Sequence, residues 1–133
     1  LARMLQPHGV QAFVVNSGHE ALATADEVHL HAAIIDLATP RDATTPPRLG
    51  DAVAQIPGGL WLLEVLTRRP TRTPVVVVDS RPVARRDVER AFNHALRLGA
   101  FTVVSRPRSP EAVLAAVQRV IDRRYRGRWP GAT

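Results

Sequence analysis

Apolar and polar positions follow two rhythms along this chain, and each change of rhythm predicts an element. Leu1 to Leu5 reads as the end of a helix, stopped near Pro7 and Gly9. Val10 to Val15 is a short β-prone run containing Phe13, Val14 and Val15, which predicts a strand. Ser17 stands three residues before Glu20, the spacing of a capping box, so a helix should run from there to about Val28 and bury Ala21, Leu22 and Ala25. Ala32 to Leu37 is almost wholly apolar and closes on Asp36, as expected of a strand covered on both faces. Gly59 to Arg69 returns to helical spacing, with Leu62, Leu63 and Leu66 facing inward. Pro74 to Val78 carries four consecutive valines and predicts the most deeply buried strand. Asp87 to Leu98 repeats apolar residues at Val88, Ala91, Phe92, Ala95 and Leu96, and Gly99 ends that helix. Phe101 to Val104 is a last strand. Ser109, Pro110 and Glu111 then give an N-cap, a first-turn proline and an acid near the positive helix end. The helix they open should bury Val113, Leu114, Val117 and Ile121.

Strands alternating with helices imply crossover connections and a parallel sheet. The rhythm breaks once, over residues 38–58, where Pro40, Pro46, Pro47 and Pro57 mark a long loop with room for one short turn at 51–56. No internal repeat appears. The 133 residues therefore read as one domain over 1–122, with the 38–58 loop as an insertion and 123–133 as a basic tail or linker.

Composition narrows the function. There is no cysteine, which excludes disulfides, thiolate metal sites and cysteine nucleophiles. No apolar run approaches the roughly 20 residues of a membrane-spanning helix, no secretory signal is visible, and a cytoplasmic location is the expectation. Net charge is +6, and all 18 basic residues are arginine. That field favours acidic partners. Arg123, Arg124, Arg126 and Arg128 alternate with Tyr125 and Trp129. They could contact nucleic acid, but a helix C-terminus whose cations suit its dipole is the preferred reading. His8, His19, His29, His31 and His94 are scattered over different elements, so a zinc site is not expected. No nucleophile-elbow pattern with Ser, His and Asp is present, and Asn16-Ser17-Gly18 is a poor phosphate loop. A binding or switch module is expected rather than an enzyme.

The residues resemble the receiver domain of bacterial two-component response regulators. The likeness is carried by Asn16 to Leu22, by Ile34-Ile35-Asp36-Leu37 with Pro40, by Gly58-Gly59-Leu60, by Thr73 to Val78, and by Leu98-Gly99-Ala100 through Ser105-Arg106-Pro107. The resemblance implies a flavodoxin-like, three-layer α/β sandwich with a parallel sheet. It also implies that the family's first strand is missing from this chain. Such a strand lies inside the sheet, so two edges would be left unpaired unless residues upstream of Leu1, or another chain, fill the gap. Upstream residues are the expectation.

By the same resemblance Asp36 stands at the phosphoacceptor position. The hydroxyl position falls on Asp79 or, with a one-residue slip, on Ser80. Arg106 replaces the lysine, and Val103 replaces the switch aromatic. A phosphoaspartate needs a metal and a cation to offset its oxygens. The acidic pair that helps hold the metal would precede this chain, so no cofactor is expected, with magnesium at Asp36 only if upstream acids exist. Arg106 could bridge Asp36 and Asp79 as a fixed ion-pair cluster. The function expected is an atypical receiver-like signalling module with impaired phosphorylation, and the rival is a working phosphoacceptor that controls a DNA-binding or other output domain. Its partners would be a histidine kinase or an output protein, with a homodimer also compatible and neither nucleic acid nor membrane expected. The partner face would include Arg90, Arg97 and Arg119.

Overall fold

A computed structural model describes residues 6, 9–41, 58–70, 72–104 and 110–126. The helix end expected at residues 1–5, the turn at 51–56, Arg106 and Trp129 lie outside them. In chain order the elements are α1 (Gly18–Glu27), β1 (Ala33–Asp36), α2 (Gly58–Arg68), β2 (Val75–Val78), α3 (Arg85–Leu98), β3 (Thr102–Val104) and α4 (Pro110–Arg124).

The three strands form a parallel sheet in the order β1-β2-β3. Ala33 stands opposite Val75 and Asp36 opposite Val78, while Val78 stands opposite Val104. The valines of β2 are buried in succession because this central strand is covered on both faces. Ile35, Val75 and Val77 meet Leu60, Leu62, Leu63 and Leu66 of α2 and Val88, Phe92 and Ala95 of α3. Ala21, Leu22 and Ala25 of α1 extend that layer. Val76, Val78 and Val104 pack on the other side against Val113, Ala116 and Val120 of α4. These are the three layers of the α/β sandwich anticipated from the alternating pattern.

Local chemistry sets the helix boundaries. Ser17 caps α1 by accepting the Glu20 N–H at 3.2 Å. The reciprocal bond of the expected capping box reaches one residue further back, where Glu20 Oε2 accepts the Asn16 N–H at 2.9 Å. At the other end of the molecule Gly99 closes α3 with φ 109° and donates its N–H to the last-turn carbonyls. Side chains with a Cβ adopt that conformation at a cost. A Gly99→Ala variant is expected to lose roughly 1–2 kcal/mol, read as a lower urea midpoint with an unchanged m-value.

Two sequence expectations are corrected. Leu96, placed on the buried stripe of α3, is 46% exposed. Residues 10–15 are not a strand: they run past the sheet without pairing to it, leaving Phe13 50% and Val14 80% exposed. Their β propensity is real, but a strand exists only through a hydrogen-bonded neighbour.

Candidate functional site

The carboxyl ends of β1 and β2 bring the chemistry together. Asp36 is the last residue of β1, and its Cα partner Val78 is the last of β2, so Asp79 and Ser80 leave the sheet beside Asp36. Asp36 Oδ1 accepts two main-chain N–H groups, from Ala38 at 2.9 Å and from Ser80 at 3.1 Å. Its other oxygen has no partner among the described residues. Asp36 is thus held by one oxygen and open at the other, half-exposed at the mouth of the strands.

Asp79 is its opposite in environment. The side chain has no exposed surface, yet it is fully engaged by Arg81. Oδ1 accepts both the Arg81 N–H at 3.0 Å and Nε–H at 2.9 Å, while Oδ2 accepts from Nη2 at 2.8 Å. This is a fork-to-carboxylate pair closed by a turn in which an aspartate accepts the amide two residues on. Burial alone would push the Asp79 carboxyl up, but the side-chain and main-chain hydrogen bonds and the charge of Arg81 outweigh it and hold it below its ordinary value. The Arg81 guanidinium is raised in turn, first by its hydrogen bonds to Asp79 and further by the charges of Asp79, Asp36 and Asp87.

The two candidates for one position are therefore separated. Asp79 is buried and turned to Arg81, whereas Ser80 is exposed and offers its main-chain N–H to Asp36. Sequence reasoning missed Arg81. The signal was present in Asp79-Ser80-Arg81, since an aspartate leaving a strand commonly turns back onto the amide two residues later.

A divalent cation at Asp36 would need several oxygen ligands. No group of three or more Asp, Glu or His that could hold a metal comes together among the described residues. Asp79, the nearest carboxylate in the sequence after β2, is committed to Arg81. The described donor set does not fit a magnesium ion.

The chain leaving Asp36 is tied to α1. Pro40 and Arg41 carbonyls accept the Gly18 and His19 N–H groups at 2.9 and 3.1 Å, which satisfies two open amides at that helix start. The Arg41 guanidinium lies 4.3 Å from the centre of the Trp61 ring, and His19 packs on the same ring at 5.2 Å. Elsewhere, Arg90 and Arg97 on α3 and Arg119 on α4 are exposed as helical spacing suggested. Arg123 and Arg124 form the last turn of α4. His29 and His31 stack edge to face at 4.7 Å, and the Tyr125 hydroxyl donates to the His31 carbonyl.

No protein-family model matches the sequence, and no curated protein matches it. Solved structures do. A CheY-like response regulator receiver domain from Methanospirillum hungatei is 17% identical with a TM-score of 0.67, over 93% of this chain and 83% of that one. The receiver domain of NtrX from Brucella abortus is 19% identical with a TM-score of 0.67, over 92% and 87%. The signal receiver domain of a histidine kinase from Syntrophus aciditrophicus is 21% identical with a TM-score of 0.65, over 99% and 85%. The chain has the receiver fold.

Proposed function

We propose that this chain is an atypical receiver-like module of two-component signalling, which acts by binding a protein partner and whose phosphorylation at Asp36 is impaired. The observation that carries the reading is the Asp79–Arg81 pair next to Asp36. At an acceptor site a free cation would offset the incoming phosphoryl oxygens. Arg81, the cation among the described residues that feels the Asp36 charge, is already bound through both oxygens of a buried carboxylate.

The partner-binding part of the proposal rests on α3, β3 and α4, the face that the receiver likeness suggests, with exposed Arg90, Arg97 and Arg119. An acidic patch on a histidine kinase, an output protein or a second copy would complement it. No helix among the described residues is long and apolar enough to cross a membrane. Binding of this kind requires no turnover, and we assign no enzyme activity.

One observation favours the rival reading of a working phosphoacceptor: the second oxygen of Asp36 has no partner among the described residues, and Ser80 presents a main-chain donor to the first. Intact-mass analysis with acetyl phosphate or beryllofluoride, with and without magnesium, separates the two. The expected result is no adduct in folded protein. A magnesium-dependent adduct that disappears in Asp36→Ala would establish the working acceptor instead.

A further inference from the structure

His29 and His31 take no part in the site at Asp36. They stand at the opposite, amino end of the sheet, just before β1 begins at Ala33, with their rings edge to face at 4.7 Å. Tyr125, one residue beyond α4, sets its ring against His31 at 6.0 Å and donates its hydroxyl to the His31 carbonyl. Its neighbour Arg124 donates from Nη2 to the Arg72 carbonyl at 3.2 Å, in the segment that enters β2. Arg72 has φ 36°, a conformation that a residue with a Cβ adopts only at a cost. Two consecutive residues at the end of α4 thus clasp the starts of β1 and β2, and one of the clasped points is strained.

A proton is poorly accommodated in this clasp. His31 is half-buried, and burial, followed by the charge of His29, holds its imidazole below the ordinary histidine value. Burial pushes the Tyr125 phenol up, against the charge of Arg124, so it remains a donor across the histidine range. Asp26 of α1 and Arg69 share a small pocket with His29 and are bonded to each other at 2.6 Å. Residues 9–15 face the two histidines across an apolar trough of about 860 Å³ and bring no titratable side chain. The closed clasp therefore takes up a proton on His31 less readily than an open one with the ring in water, and each proton bound favours opening. Its stability is fully present above the ordinary histidine value, about 6.5, and is lost as pH falls through the lowered one.

We propose that His29 and His31 form an acid-sensitive latch on the end of α4: neutral imidazoles keep the clasp closed, and protonation of His31 frees Tyr125 and the last turn of the helix. The latch lies away from Asp36, so its failure would leave the reading of that site unchanged.

Nuclear magnetic resonance on the 133-residue chain tests it. The Tyr125 amide, which donates to the Ile121 carbonyl at 3.0 Å, reports the end of α4, and the Val117 amide reports its middle. Passing from above to below the histidine range should lower the protection factor at Tyr125 severalfold and leave that at Val117 unchanged. The His31 ring should titrate below the ordinary value in the parent and closer to it in Tyr125→Phe, because proton binding and clasp closure are coupled in both directions. His31→Gln keeps the main-chain acceptor and should hold Tyr125 equally protected on both sides of the range. If that variant fails to fold, His29→Gln decides, since removing the neighbouring charge should raise the His31 midpoint. Equal protection of Tyr125 across the range in the parent would overturn the proposal. So would a pH dependence that survives in His31→Gln, a His31 midpoint unmoved in Tyr125→Phe, or one unmoved in His29→Gln. Loss of protection at Val117 in step with Tyr125 would also overturn it, because acid would then be unfolding the whole helix.

Discussion

Replacing Arg81 with alanine should destabilise the protein by about 3 kcal/mol, more than replacing its partner Asp79, which should cost about 1–2 kcal/mol. The asymmetry follows from exposure. Asp79 has no exposed side-chain surface, so without Arg81 it is a buried carboxylate with no counter-charge. Arg81 keeps 26% of its side chain in contact with solvent and can turn outward when Asp79 is gone. The pH dependence should invert between parent and variant. In the parent the Asp79 carboxyl lies below its ordinary value, so its contribution is fully present above the ordinary carboxylate range and is lost as pH falls through the depressed value. In Arg81→Ala the side-chain hydrogen bonds and the charge are gone, and burial outweighs the main-chain hydrogen bond that residue 81 still donates. The carboxyl moves up, and the variant recovers stability as pH falls through that raised value. Urea unfolding of both proteins at neutral and acid pH tests this. A gap that stays constant with pH would show that the pair contributes through packing alone.

Gly59→Ala should be nearly as damaging, at about 2–3 kcal/mol, although alanine is the better helix former by about 1 kcal/mol. A Cβ at residue 59 would stand 2.7 Å from the Asp36 carbonyl oxygen and 2.7 Å from the Leu37 Cα. Both are main-chain atoms and cannot rotate aside. Leu37 is buried and its N–H is bonded to the Val78 carbonyl at 2.9 Å, so the end of β1 has little freedom to retreat. The strain should fall on the Asp36–Ser80 hydrogen bond. The expected readout is a large shift of the Ser80 amide resonance together with a lower urea midpoint. At Gly99 a new Cβ would instead meet the Thr67 side chain at 3.3 Å, and the cost there comes from backbone conformation. A Gly59→Ala protein with parent stability and an unmoved Ser80 amide would mean that α2 can shift off the strand end.

Local pattern suffices elsewhere in the fold. Four consecutive valines could only be a strand covered twice, and Val75 to Val78 are buried in succession. The α3 stripe, the Gly99 stop and the Ser17 cap were legible because each depends on residues within a turn or two of one another. Asp36 at a strand end followed from the same local reading. Boundaries moved by a residue or two, as helix ends do.

What the sequence by itself determined about this protein is its alternation of elements, their buried faces and the placing of one carboxylate at the mouth of a parallel sheet. Tertiary structure decided the rest, because it depends on neighbours that linear pattern does not name. The meeting of Asp36 with Ser80 was such a choice: they stand 44 residues apart, and the pairing of β1 with β2 brings the Ser80 N–H to the Asp36 carboxylate. The state of residues 10–15 was another. Their side chains suit a strand, but pairing requires a hydrogen-bonding edge within reach, and an 860 Å³ trough separates them from the edge of β1.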